Sequence, residues 1–127
     1  MTMFDSILII EDDVITSFLI EREVNSKLQP KKIKVFNQAT LALDYINELK
    51  EKNEKMPDII LLDLNMPFMD GWDFLNIINK IHHIVATQVV VVSSSINPSD
   101  LERTKKYQNV LGFISKPFEV EKLMALY

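Results

Sequence analysis

Acidic side chains stand at two points of the sequence where they could do chemistry together. Glu11 and Asp12 follow one apolar run directly, and Asp63 follows another. Carboxylates that are brought close together raise one another's pKa unless a cation shares the pocket. Oxygen ligands without histidine suit a hard dication, most readily Mg²⁺, and argue against zinc. The sequence therefore predicts a magnesium site that contains Glu11, Asp12 and Asp63.

Asp13 has a second, structural explanation. Helical spacing begins at Val14, and aspartate is a favoured residue at the N-cap of a helix. Capping explains Asp13 but explains Asp12 and Asp63 less well. We therefore expect Asp13 to cap the helix and the other carboxylates to serve the site.

Two further polar segments follow apolar runs. Ser93, Ser94 and Ser95 come after the run 89–92, and Lys116 precedes Pro117 shortly after the run 112–114. Together with Mg²⁺ and the three carboxylates of the predicted metal site, Lys116 would make the pocket formally neutral, so an incoming phosphoryl group would not be repelled. A carboxylate nucleophile, a metal and fixed donors are the parts that phosphoryl transfer requires.

The elements that must hold these side chains alternate along the chain. Short apolar runs of strand length are separated by stretches with helical spacing, which predicts a parallel sheet with helices on both faces. The first, third and fourth runs are continuously apolar, as expected for central strands, and the second and fifth belong at the edges. The runs are 7–10, 33–36, 59–62, 89–92 and 112–114.

This pattern fits an α/β, doubly wound, five-stranded parallel sheet of order 2-1-3-4-5. In such sheets ligands bind beyond the carboxyl ends of the strands, where the strand order reverses. That point lies between the first and third strands, which carry the acidic residues.

Five helices are predicted between and after these strands. One side of the first would carry Val14, Ile15, Phe18, Leu19 and Arg22, and the second would contain Leu41, Leu43, Tyr45, Ile46 and Leu49. The other three would span 72–81, 98–107 and 119–127.

Length and composition limit the possible functions. We expect the 127 residues to form one domain, 1–127. A net charge of -4 argues against nucleic-acid binding by this segment, and the lack of cysteine excludes disulfides and thiolate chemistry. The first six residues lack the basic region of a secretory signal, and no run approaches the ~18 apolar residues of a membrane span. A cytoplasmic location is the expectation.

Four motifs, in this order and spacing, resemble the receiver domain of two-component response regulators, a flavodoxin-like fold of the chemotaxis-regulator-like superfamily. The resemblance covers essentially the whole chain. The motifs are 7–13 (ILIIEDD), 57–67 (PDIILLDLNMP) with Met69-Asp70-Gly71, 89–95 (VVVVSSS) and 116–118 (KPF).

The resemblance implies a phosphorelay function. Asp63 would accept a phosphoryl group from a phosphohistidine on a sensor histidine kinase or a histidine phosphotransfer protein. Asp12 and Asp63 would bind Mg²⁺, Glu11 would bind it mainly through water, and the backbone carbonyl of Asn65 would supply another ligand. The chain would not be an enzyme beyond self-catalysed phosphoryl transfer and autodephosphorylation.

The resemblance also implies how the signal would spread. Ser93 would be the switch hydroxyl, Lys116 would contact the phosphoryl group through a cis bond to Pro117, and Phe113 would be the switch aromatic. The surface of helix 4, strand 5 and helix 5 would then change and bind a downstream partner or form a phosphorylation-dependent dimer. Ser93 and Phe113 depart from the family's more frequent threonine and tyrosine, which affects coupling more than phosphoryl chemistry.

Other interpretations remain open. A haloacid dehalogenase-type phosphohydrolase also uses a strand-end aspartate, Mg²⁺ and lysine, but it needs a second aspartate where this chain has Asn65. A phosphorylation-independent interaction module could use the same fold. Trp72 is expected to pack in the core, and His82 and His83 are not expected to accept a phosphoryl group. The short last helix, ending at Tyr127, is compatible with a receiver cut from a longer chain or with a stand-alone one.

Overall fold

Strands and helices alternate along the chain, as the sequence predicts. The computed structural model describes residues 3–81, 86–94 and 97–127. The elements in these ranges are β1 (Ser6–Ile10), α1 (Val14–Lys27), β2 (Lys32–Phe36), α2 (Ala39–Glu51), β3 (Ile59–Leu62), α3 (Gly71–Ile78), β4 (Gln88–Ser93), α4 (Pro98–Thr104), β5 (Val110–Ser115) and α5 (Val120–Met124).

The strands form one parallel sheet of order β2-β1-β3-β4-β5, which confirms the predicted doubly wound topology. The register aligns the ends of the central strands. Ile10 at the end of β1 lies opposite Leu62 at the end of β3, and Leu62 lies opposite Val91 of β4. The residues that follow these strands therefore emerge side by side at one edge of the sheet.

The two faces of the sheet pack into two apolar clusters. Successive side chains of a strand point to opposite faces, so a strand that is covered on both sides is apolar throughout. Every residue of β3 and the first five positions after Gln88 in β4 are buried, as is β1 after Ser6. One cluster includes Leu8, Ile60, Phe74 and Val91, and the other includes Ile9, Leu61, Val90 and Leu123.

The first helix packs with a different side from the one that carries its predicted apolar group. Its buried residues are Ser17, Ile20 and Val24, at spacings of three and four. The side chains at positions 14, 15, 18 and 19 are instead 54–71% exposed. Both sides of the helix carry apolar residues, so spacing alone cannot decide which one faces the sheet. An apolar stripe is consequently presented to solvent.

Three helices are shorter than their predicted spans. α3 ends at Ile78 and not at Ile81, α4 ends at Thr104 and not at Tyr107, and α5 covers Val120–Met124 and not 119–127. After each helix the backbone continues with N–H donors bonded to carbonyls three residues earlier, as in Ile81 to Ile78, Tyr107 to Thr104 and Tyr127 to Met124. Such tight turns are a usual way to end a helix.

β5 is longer than the predicted strand. β5 begins at Val110, earlier than predicted, and its pairing with β4 shifts register between Val89 and Val90. His82, His83 and Ser95 lie outside the described residues. Within the described ranges, no helix has the length and apolar character that a membrane crossing requires.

Candidate functional site

The acidic side chains predicted to form a site do lie together. Glu11, Asp12 and Asp63 each offer a carboxylate oxygen, and these three oxygens all lie within 4.8 Å of one another. Glu11 is 1% exposed and Asp63 is 5% exposed. Each is held by an extension of the sheet, because the Asp63 N–H donates to the carbonyl of Ile10 and the Glu11 N–H donates to the carbonyl of Phe36, both at 3.0 Å.

Lys116 closes this pocket from the end of β5. Its Nζ lies 2.6 Å from Oε1 of Glu11 and 3.7 Å from Oδ1 of Asp63. Its backbone N–H donates to the carbonyl of Ser93 at 3.0 Å, and its peptide bond to Pro117 is cis, as the resemblance implies. In this state the ammonium therefore pairs most closely with Glu11.

The pocket carries more negative charge than its lysine can offset. Burial raises the pKa of the Asp63 carboxyl to about 7, and the charge of Glu11 adds to that rise, while Lys116 opposes it. Burial works against the charge of Lys116, but its hydrogen bond with Glu11 and the charge of Asp63 raise its pKa overall. A dication would relieve the repulsion among the carboxylates.

This donor set fits magnesium. All the ligand atoms are carboxylate oxygens, which are the ligands that hard dications prefer, and they lie close enough to share one ion. Burial and the charge of Glu11 raise the pKa of Asp63, and a dication bound there would favour the charged carboxylate. Within the described residues, Glu11, Asp12 and Asp63 are the group suited to hold a metal.

Metal binding should depend on pH in a defined direction. The folded protein binds a proton at Asp63 more tightly than the unfolded chain does, so without metal the free energy of unfolding falls as pH rises from 3.8 to about 7. Mg²⁺ must displace that proton. We expect Mg²⁺ to raise the melting temperature more at pH 8 than at pH 6, with a gain of about 1.4 kcal/mol at ten times Kd.

Two neighbouring substitutions provide the comparison for this prediction. Asp12→Asn should remove most of the stabilisation by Mg²⁺, whereas Asp13→Asn should keep it because asparagine also caps helices. Thermal unfolding at micromolar to tens of millimolar Mg²⁺ measures both. A melting temperature that does not change with Mg²⁺ at pH 8 would contradict the assignment of the metal site.

Asp13 caps the first helix, as predicted. Its carboxylate accepts from the Thr16 N–H at 3.2 Å and also from the Thr16 hydroxyl. Both hydrogen bonds lower the pKa of Asp13, and the one from the Thr16 hydroxyl has the larger effect. The Asp13 N–H donates to Oε2 of Glu11 at 3.1 Å, which ties the cap to the acidic pocket. Asp13 therefore caps α1 through its side chain and contacts the pocket through its backbone.

The loop after β3 is set by a close backbone approach at Gly71. The Gly71 N–H donates to the carbonyl of Leu64 at 2.9 Å, and a β-carbon at position 71 would lie only 2.6 Å from the carbonyl oxygen of Asp63. Asp70 caps α3 and exchanges hydrogen bonds with Asp73 in a capping box. Asp70 and Gly71, predicted as a turn, thus form the start of α3, and glycine is needed there for space.

Gly71→Ala should displace this loop. Its added methyl group would meet backbone, which cannot move aside as a flexible side chain can, and overpacking of this kind costs about 1–3 kcal/mol. We expect a lower melting temperature and a weaker response to Mg²⁺. Gly112→Ala is the control, since its β-carbon would first meet a flexible Leu126 methyl at 3.0 Å. Equal behaviour of the two variants would contradict this account.

The structure also gives the positions of the other predicted site residues. Ser93 is fully buried at the end of β4. Phe113 is half-buried in β5 and lines a cavity of about 430 Å³ between α4 and β5. Asn65 is exposed, and its backbone N–H lies 3.4 Å from Oδ1 of Asp63. Asn65 and Lys116 therefore approach Asp63 from different loops.

Two residues near the site were missed in the sequence. Asn37 follows β2 and donates through Nδ2 to the carbonyl of Glu11 at 2.7 Å and to Oγ of Ser17 at 3.2 Å. Its position after a strand at the same sheet edge was a usable signal. Phe68 is 92% exposed and has a φ of 69°, a left-handed conformation that is uncommon for an aromatic residue.

The fold and the site define a class of protein. Five parallel strands in doubly wound order place an acidic cluster and a lysine at the carboxyl edge of the sheet. The family described as the response regulator receiver domain matches residues 7–127. The chain therefore belongs to the response regulator receiver domain family of two-component signalling. Proteins with such domains interact with histidine kinases or phosphotransfer proteins.

Individual relatives agree with this assignment. A probable methanogenesis regulatory protein, FilR2, of Methanothrix harundinacea is 31% identical over 118 residues, which is 92% of this chain and 75% of that protein. The sensor histidine kinase CheAY of Helicobacter pylori is 31% identical over 119 residues, 94% of this chain and 14% of that protein. The crystal structure of a two-component response regulator from Cytophaga hutchinsonii superposes with a TM-score of 0.87 at 28% identity, covering 98% of this chain and 94% of that one.

The relatives differ in how much of their length is matched. The chain spans three quarters of the Methanothrix protein but about one seventh of the Helicobacter kinase. The similarity to that kinase therefore concerns a small part of its length.

Proposed function

We propose that the chain is a phosphorylation-controlled switch in which Asp63 accepts a phosphoryl group from a phosphohistidine. The observation that carries this proposal is the buried Asp63 carboxylate, which lies close to Glu11, Asp12 and Lys116. A carboxylate in such a pocket is a suitable nucleophile for phosphoryl transfer. Acceptance and later hydrolysis of this group are the only chemistry that we assign to the chain.

The transfer exchanges one bond for another. An oxygen of Asp63 forms the new bond to phosphorus while the bond between phosphorus and the donor's imidazole nitrogen breaks, and the imidazole leaves. Glu11, Asp12, Asp63 and the backbone carbonyl of Asn65 would hold Mg²⁺. When bound, Mg²⁺ neutralises charge on the carboxylates and on the phosphoryl oxygens. The pocket itself supplies orientation, because the backbone of Asp63 is fixed to Ile10 and packed against Gly71.

Lys116 and Ser93 are assigned to the phosphoryl oxygens once these arrive. The Lys116 ammonium is 3.7 Å from Asp63, so a group on that carboxylate comes within its reach. Ser93 is joined to Lys116 by a backbone hydrogen bond and would donate through its hydroxyl. Phe113, on the strand between Lys116 and α4, would pass the change to the surface of α4, β5 and α5. A downstream partner or a second copy would bind that surface.

We assign the exposed stripe of α1 to contact with the phosphodonor protein. Asp63 is 5% exposed, so a protein that brings a phosphohistidine to it must cover the rim of the pocket. That rim includes a cavity of about 330 Å³ between α1 and residues 116–118, lined by Leu19 and Phe118 among others. Apolar side chains exposed beside a polar site are typical of interaction surfaces. The stripe consists of Val14, Ile15, Phe18 and Leu19.

Incubation with Mg²⁺ and a small acyl phosphate, followed by intact mass measurement, tests the proposed function. An adduct of one phosphoryl group per chain that disappears with time supports the switch. Steady turnover of many phosphomonoesters would instead support a phosphohydrolase. The absence of both an adduct and turnover would support an interaction module that works without phosphorylation.

A further inference from the structure

Four side chains join α3 to the end of α4, and we call this group the α3–α4 clasp. The guanidinium carbon of Arg103 lies 4.2 Å from the ring centroid of Trp72, in a cation–π contact. The ring of Tyr107 lies 6.2 Å from that of Trp72 and is tilted by 31°. The Tyr107 hydroxyl donates to Oδ1 of Asn76 at 2.6 Å.

The clasp consists of two pairs of residues, one on each side of the contact. Trp72 and Asn76 are four residues apart on α3, and so share one face of that helix. Arg103 and Tyr107 are also four residues apart, at the end of α4 and in the turn that follows it. Each member of one pair contacts a member of the other, so α4 is held to α3 at two points one turn apart.

The clasp begins one residue from the loop that carries Asp63. Trp72 follows Gly71, which donates to Leu64 and packs directly against the carbonyl oxygen of Asp63. Trp72 is 8% exposed and belongs to the same core cluster as Leu64. The position of the indole is therefore fixed by the same backbone that fixes Asp63.

A cavity borders α4 on the side that faces β5. The cavity of about 430 Å³ lies between α4 and β5 and is lined by Leu101, Thr104 and Phe113 among others. This cavity is partly open to solvent, so part of the α4 side that faces β5 is not covered by other side chains. α4 thus contacts α3 through the clasp and borders a partly open cavity on the side of β5.

We propose that the clasp holds α4 in its resting position and loosens when Asp63 is phosphorylated, so that Arg103 is a positioning residue for the switch. This inference rests on the proposed function. A contact made in only one of two conformations biases the equilibrium toward that conformation. By linkage, weakening the clasp must strengthen the binding of any ligand that favours the other conformation.

Beryllofluoride, a mimic of the phosphoryl group, is the probe. In the presence of Mg²⁺, Arg103→Gln should bind it about two- to fivefold more tightly than the wild type, the factor that corresponds to an exposed cation–π contact. Arg103→Lys, which keeps a cation, should lie between the two. Tyr107→Phe, which loses the hydrogen bond to Asn76 but keeps the ring, should also bind more tightly. Amide NMR titration gives the affinities.

The control is Arg22→Gln, the same change at an exposed arginine of α1, and its affinity should equal that of the wild type. Trp72 is the sole tryptophan of the sequence, so its emission should change in Arg103→Gln and not in Arg22→Gln. A general loss of stability would not tighten binding, because it does not favour the conformation that binds beryllofluoride. Unchanged or weaker binding by Arg103→Gln, with normal binding by the wild type, would overturn the clasp and leave the proposed function standing. Failure of the wild type to bind beryllofluoride would overturn both.

Discussion

Replacing Asp63 with asparagine is expected to abolish phosphoryl incorporation and to leave the fold in place. The amide has nearly the same shape as the carboxyl group but cannot act as the nucleophile. A neutral amide should also avoid the cost of burying a charge and the repulsion by Glu11, the two effects that raise the pKa of Asp63 in the wild type. In the absence of Mg²⁺ at pH 8, we therefore expect Asp63→Asn to melt at the wild-type temperature or above it, and to respond weakly to Mg²⁺.

Intact mass after incubation with Mg²⁺ and a small acyl phosphate measures this effect, and thermal unfolding checks the fold. Asp70→Asn is the matched control in the same loop. Asparagine can accept the Asp73 N–H hydrogen bond and cap α3 as aspartate does, so this variant should be labelled like the wild type. Labelling of Asp63→Asn at the wild-type level would place the phosphoryl group on another residue.

The strand order and the acidic pocket were predictable because each depends on a few local rules. Continuous apolar runs identified β1, β3 and β4 as central strands, and the topology then brought the residues after β1 and β3 together. Predicting that Glu11 and Asp63 lie together required no information about side-chain packing. Their positions follow from the backbone ladder alone, which continues for one residue beyond each strand.

The burial and the contacts of some side chains depend on packing between elements that are distant in sequence, and these could not be predicted in the same way. α1 carries apolar residues on two sides, and only contact with the sheet decides that Ile20 is buried and Phe18 is exposed. Trp72 was expected in the core, but its contact with Arg103 joins helices far apart in the sequence. The closer pairing of Lys116 with Glu11 than with Asp63 is a matter of about one ångström, which no spacing rule resolves.

Replacing Lys116 with methionine is expected to separate phosphoryl capture from the response. The substitution leaves the nucleophile and the proposed metal ligands in place, so the variant should still be labelled by a small donor, though more slowly. The contact that Lys116 would make with phosphoryl oxygens exists only after transfer. Charge-assisted hydrogen bonds of this kind contribute about 1.5–3 kcal/mol, which changes a two-state ratio roughly ten- to hundredfold.

Loss of that contact should be visible at the surface of α4, β5 and α5. Amide NMR shifts with and without beryllofluoride should be large around Phe113 and residues 98–107 in the wild type and much smaller in Lys116→Met. Lys80→Met replaces an exposed lysine in the turn after α3; it is the control and should shift like the wild type. Lys116→Met should also melt at a lower temperature without Mg²⁺, because Glu11 loses an ammonium 2.6 Å away while it remains buried.

Ser93→Ala provides an independent test of the same coupling, since Ser93 is fully buried at the end of β4 and its carbonyl bonds to the backbone of Lys116. Its removal should reduce the response and keep the labelling of Asp63. Phe113→Tyr adds a hydroxyl beside the cavity between α4 and β5, so it should change the size of the NMR response without changing labelling. Wild-type-sized shifts in both Lys116→Met and Ser93→Ala would refute the coupling, because neither donor would then be needed to move α4.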